Sequence, residues 1–187
     1  MARVAIEPYS ERWTRDFARL ARRIRSVLGD RALRIDHIGS TAVPGLAAKD
    51  RIDVQVAVAD LRDANPLGAA GFVELGPFDD HRPPGSETGS EHWQKRFFQT
   101  DDGERPANVH VRLEGRANER YALLFRDYLR EHPAAAAAYA ELKRRLAAEL
   151  RDVRRYAEVK DPACDLIVAA AEDWAAATSW LPGPSDG

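Results

Sequence analysis

Between residues 10 and 28 the apolar positions Trp13, Phe17, Leu20, Ile24, Val27 and Leu28 recur at helical spacing with arginines between them. That spacing predicts an amphipathic helix opened by Ser10 and closed near Gly29. Its arginines (Arg12, Arg15, Arg19, Arg22, Arg23 and Arg25) are expected to form the solvated face. From Ala32 to Ile38 a short, partly alternating run stopped by Gly39 predicts a strand, and the glycine opens a turn. Ile52, Val54, Val56 and Val58 then alternate with Asp53, Gln55 and Ala57, giving a strand with one apolar and one polar face. Val109, Val111 and Leu113 alternate in the same way with Asn108, His110 and Arg112. If the two strands are neighbours, His110 and Arg112 stand beside Asp53 and Gln55. Phe72, Val73 and the run from Trp93 to Thr100 supply further strand material.

The last third changes period. Tyr121, Leu124, Phe125, Tyr128 and Leu129 predict a helix from about Ala117 to His132, and Pro133 suits the first turn of a second helix. A third helix is expected from near Pro162 through Leu166, Ile167, Ala170 and Trp174 towards Trp180. The segment Asp79 to Ser90, DDHRPPGSETGS, reads as a surface loop without chemistry. The architecture is therefore α+β in one domain over residues 1–180, with residues 181–187 expected to be a flexible tail.

Composition narrows the function classes. The chain has 187 residues, a formal net charge of −2, 44% hydrophobic and 31% charged residues, and one cysteine, Cys164. Such a chain is a soluble globular protein with no general electrostatic reason to bind nucleic acid or a membrane. A lone cysteine excludes an intrachain disulfide and a cysteine zinc cluster and fits a reducing cytoplasm, where Cys164 is expected to be a packing residue. No segment has the form of a signal peptide or a membrane span. HExxH, GxxxxGK[ST], GxSxG and GxGxxG are all absent.

The stretch His37 to Val56, HIGSTAVPGLAAKDRIDVQV, holds the candidate chemistry. Gly39, Ser40 and Thr41 at a strand end can present N–H groups and a hydroxyl to phosphate oxygens. Asp53 on the next strand can hold Mg²⁺ against those phosphates. His37 is either a core histidine or a group that orients Ser40.

The blocks IDHIGSTAVPGLAAKDRIDVQV, KRFF, NVHV, LLFRDYLREHPAAAAAYAELKRRLA and YAEVKD resemble the GrpB-like family over about Ile6 to Ala170. That family is placed in the nucleotidyltransferase superfamily fold, and similar domains occur fused to dephospho-CoA kinase. The resemblance implies a mixed sheet flanked by helices, a glycine-serine turn matched by Gly39 and Ser40, and a first Mg²⁺-binding carboxylate matched by Asp53. Gln55 stands where a second carboxylate is expected, and His110 is the candidate for the third position, as metal ligand or general base. The pattern thus departs from the superfamily at two of three ligands.

Two readings follow. The chain is an NTP-dependent, nucleotidyltransferase-like enzyme acting on a small-molecule acceptor, with Asp53 holding Mg²⁺, Lys49 and Arg96 neutralising phosphate, and His110 taking a proton. Alternatively it is a non-catalytic domain that binds a nucleotide or CoA-like ligand through Lys95, Arg96 and Arg112. In either case Lys143, Arg144, Tyr156 and Lys160 are candidates to close over the sheet and meet a triphosphate.

Overall fold

A computed structural model describes residues 4–150 and 152–187, leaving aside the side chains of residues 153 and 154. The chain order is α1 (Arg12–Leu28), β1 (Arg34–Ile38), β2 (Ile52–Val58), α2 (Pro66–Ala69), β3 (Phe72–Asp79), β4 (Gln94–Thr100), β5 (Ala107–Leu113), α3 (Ala117–Glu131), α4 (Pro133–Glu149) and α5 (Val153–Thr178). Five strands form one mixed sheet in the order β1-β2-β5-β4-β3, with β2 and β5 parallel and the other pairs antiparallel.

The period-two patterns decide which side of the sheet is which. Ile52, Val54, Val56, Val58, Val109, Val111 and Phe98 form one core with Trp13, Phe17 and Ile24 of α1, all nearly or wholly inaccessible. Burying such a side chain is worth about 1.5–3 kcal/mol, so this face outweighs any local preference of the strands. Asp53, Gln55, Asn108, His110 and Arg112 are thereby turned to the opposite face, where α3, α4 and α5 pack. Parallel register sets Asp53 against Asn108 and Gln55 against His110.

Three sequence expectations change. The last helix begins at Val153, not near Pro162, and Pro162 lies inside it. An interior proline forfeits a hydrogen bond, but continuing the helix to its N-terminal side buries Tyr156 against Val4 and Ala147. Residues 181–187 line the outer edge of β1. Ser185 Oγ accepts from Ile35 N at 2.9 Å, Asp186 accepts from His37 N at 2.9 Å, and Gly187 N donates to Ile35 O at 3.0 Å. The loop from Asp80 to Gly89 delivers a carboxylate into the interior, as described below. Among the described residues no helix is long and apolar enough to cross a membrane.

Candidate active site

A cavity of about 500 Å³ opens between the polar face of the sheet and the three C-terminal helices. The turn after β1 forms one margin. Gly39 has φ +69° and ψ −169°, a conformation that is essentially restricted to glycine. A Cβ there would lie 2.6 Å from Asp53 Oδ2, so the glycine also lets the turn close on the Asp53 carboxylate. Ser40 Oγ accepts a 2.8 Å hydrogen bond from Lys143 Nζ, which also donates to Ala47 O. Thr41 is buried and pairs with His37 Nε2 at 3.0 Å, while His37 stacks on Phe17 at 4.7 Å. Thr41 and His37 therefore fasten the turn to the core, and burial holds the His37 pKa down to about 4.

Asp53 accepts from Asn108 Nδ2 at 2.8 Å and faces His110 Nε2 at 3.7 Å. Burial by itself would raise its pKa, but His110, Asn108 and Lys49 outweigh burial and hold it below the usual carboxylate value. His110 is neutral, with its pKa lowered to about 4 by burial and by Lys95 and Arg112, against the pull of Asp53. Lys95 Nζ lies 3.1 Å from His110 Nδ1. Only the ring nitrogen's lone pair can accept from an ammonium, so the proton of the neutral ring is assigned to Nε2, facing Asp53. In this tautomer the Nε2–H faces the Asp53 carboxylate at 3.7 Å and Nδ1 accepts from Lys95, so the ring has no free lone pair for a metal or an acceptor proton.

Several residues fall elsewhere than the sequence places them. Arg96 is on the other face of the sheet, paired with Glu74 at 2.7 Å and bonded to Leu61 O and Asn65, so it does not reach the cavity. Gln55 is wholly buried beneath it, accepting from Arg112 and donating to Glu119 O at 3.3 Å. Its amide is committed to the fold. Arg144 sits on the outer side of α4 near Glu141. Gly39, Ser40, Thr41, Lys49, Lys95, Arg112, Lys143, Tyr156 and Lys160 all border the cavity with Asp53 and His110.

Asp80 carries no signal in the sequence pattern. Its carboxylate receives the Arg112 guanidinium at 2.9 and 3.1 Å, the Lys95 ammonium, and Asn118 Nδ2 at 3.0 Å. Burial works against its charge, yet Arg112, Lys95 and His110 prevail and hold its pKa well below the ordinary range. Asn108 was visible on the polar face of its strand but unassigned; Asp80, in a Pro/Gly-rich segment, gave no signal. Cys164 is buried as expected, but at the cavity wall, 3.4 Å from Lys160 Nζ.

The residues do not fit a resident two-metal centre. Among those described, no group of three or more His, Cys, Asp or Glu side chains could hold a metal. With the Gln55 amide engaged by Arg112 and Glu119 O, and the His110 nitrogen that faces Asp53 carrying its proton, neither residue completes a metal site at Asp53.

Comparisons place this fold. The crystal structure of conserved protein GrpB from Enterococcus faecalis superposes with a TM-score of 0.74 at 29% identity, over 91% of this chain and 99% of that one. A cytoplasmic RNA terminal U-transferase aligns at 17% identity and a TM-score of 0.49 over 73% of this chain and 41% of its own, a distant likeness from which no activity follows. A dephospho-CoA kinase of Mycolicibacterium paratuberculosis is 38% identical over 97% of this chain and 49% of its own length. The UPF0157 protein BH1888 of Halalkalibacterium halodurans is 37% identical over 85% of this chain and 77% of its own. The chain spans about half the length of the kinase-named relatives. The family described as GrpB protein matches residues 3–170, and the chain belongs to that family.

Proposed function

We propose that the cavity binds a nucleotide and that the chain is a nucleotidyltransferase-like, phosphate-handling enzyme acting on a small-molecule acceptor. One observation carries this reading: Lys49, Lys143 and Lys160, from a loop and two helices, converge with the Gly39–Ser40 turn on a cavity bordered by Asp53. Lys143 donates to neutral oxygens, Lys49 lies 5.3 Å over the Tyr156 ring, and Lys160 is 3.9 Å from Asp161. The shortest carboxylate contacts in the cavity, those of Asp80, belong to Lys95 and Arg112 instead. Three lysines against Asp161 and Asp53 leave the helical end of the cavity with an excess of cationic donors, which suits a polyanion.

The metal dependence is testable. Asp53→Asn is expected to abolish any Mg²⁺-dependent thermal stabilisation by nucleoside triphosphates, measured as melting temperature with and without Mg²⁺. A ligand at a hundred times its Kd stabilises by about 2.7 kcal/mol, ample to detect. An undiminished Mg²⁺-dependent shift in the variant would sink this role for Asp53.

A pH signature follows from Lys143. Burial, reinforced by Lys160, Lys49 and Arg144 and opposed by Cys164, lowers its pKa to about 7. It is a cation below that pH and neutral above it, so triphosphate affinity is expected to fall about tenfold between pH 6 and 8, as one charge-assisted hydrogen bond is lost. Calorimetric titration of Lys143→Arg should show a flattened profile; an identical slope in the variant would assign the titration to another group.

A second reading is favoured by the buried Gln55 amide in place of a second carboxylate and by the tautomer of the neutral His110, whose lone pair is taken by Lys95. The domain would then bind a nucleotide or CoA-like ligand without turnover. Mg²⁺-independent stabilisation, with no product in a nucleotide screen, would support it.

A further inference from the structure

The wall built by α3, α4 and the segment before β4 is aromatic. Trp93 meets Tyr121 at 6.0 Å between ring centroids, Tyr121 meets Phe125 at 6.5 Å, and Phe125 meets Tyr139 at 5.6 Å. The Tyr139 ring then lies 4.6 Å from the Lys143 ammonium, so the row ends at the cationic turn. All four rings border the cavity. Such a row gives nothing to an inorganic polyphosphate, whereas a flat heteroaromatic ring can stack on it.

Asn118 stands near the Trp93 end. Its Nδ2 donates to Asp80 Oδ2 and to Gln94 O, both at 3.0 Å, which uses both hydrogens and fixes the amide's orientation. Its Oδ1 is buried and has no partner. An acceptor in that condition calls for a donor. The three lysines supply donors only, so the cavity offers one ligand both an unpartnered acceptor and a set of cations.

We propose that a nucleobase lies along Trp93, Tyr121 and Phe125 and donates an N–H from its edge to Asn118 Oδ1, while its phosphates extend past Tyr139 to Lys143 and Lys160. The inference rests on the nucleotide reading above and assigns Asn118 and the aromatic row to base recognition. Asn118 is 1% exposed, so this contact requires the lining around Oδ1 to open. The cavity volume of about 500 Å³ lies within the range of sites for ligands of this size.

The test compares three probes on the wild-type protein by calorimetry: inorganic tripolyphosphate, ATP, and purine riboside 5′-triphosphate, whose base has no N–H donor. ATP is expected to bind at least tenfold more tightly than tripolyphosphate, with the purine riboside compound between them. Tyr121→Leu should shrink the gap between ATP and tripolyphosphate and leave tripolyphosphate affinity unchanged. Equal affinity for ATP and tripolyphosphate would overturn the base subsite and leave the cationic site standing. Equal affinity for ATP and the purine riboside compound would overturn the role of Asn118. If no probe binds, the nucleotide reading fails and this inference with it.

Discussion

Replacing Asp80 by alanine is expected to cost about 3–5 kcal/mol of folding stability, read from urea or thermal denaturation. The substitution leaves Arg112, which is 5% exposed, and the nearly buried Lys95 without their shared carboxylate. It also strips Asn118 Nδ2 of one acceptor. Asp79→Asn, on the exposed neighbour, should change stability by no more than about 0.5 kcal/mol, so the pair separates a buried ion pair from a general loop effect. The pH dependence has a definite sign. Because the folded-state pKa of Asp80 is depressed, its contribution is complete above the unfolded value of about 3.9 and is lost as pH falls towards the folded value. Acid unfolding of the variant should therefore be less steep below about pH 4. A loss near 1 kcal/mol, with an unchanged acid limb, would mean that Arg112 and Lys95 find water or other partners when the carboxylate is removed.

Gly39→Ala is expected to lose about 3 kcal/mol of stability and, with it, ligand binding. Backbone strain at this φ and ψ accounts for about 1–3 kcal/mol, and the added Cβ, 2.6 Å from Asp53 Oδ2, forces the carboxylate or the turn to move. Gly45→Ala is the matched comparison: its φ is +77°, but nothing lies within 4 Å of its Cβ position. It should show a backbone penalty of about 1–2 kcal/mol and no loss of binding. If both variants lose equal stability and both bind, the close approach of the turn to Asp53 is not what Gly39 provides.

What was legible in the sequence was what strand periodicity controls. The alternation through residues 52–58 and 108–113 puts Asp53, Asn108, His110 and Arg112 on one face, and the parallel register of β2 and β5 brings them together. In β4 the same rule is harder to apply. Lys95 and Arg96 are consecutive, so only one can face the cavity, yet the adjacent Phe97 and Phe98 hide which strand parity is apolar. Pairing of Lys95 with Arg112 and of Phe97 with His110 resolves it. Gln55 looked available because one polar strand face resembles another; its burial depends on α3, whose Glu119 carbonyl it meets. Asp80 was invisible for a different reason, since the composition of its segment reports backbone character and says nothing about one carboxylate anchored by two distant cations.

The parallel pairing of β2 with β5 also governs when the site comes into being. Bringing Asp53 and His110 together closes a long loop that contains β3 and β4, and the entropy of that closure is lost before the contacts of the pairing offset it. The floor of the cavity is therefore expected to form late in folding. Detaching β5 from β2 at any stage of unfolding parts the aspartate from its histidine, so loss of the site and loss of the central sheet should follow the same time course.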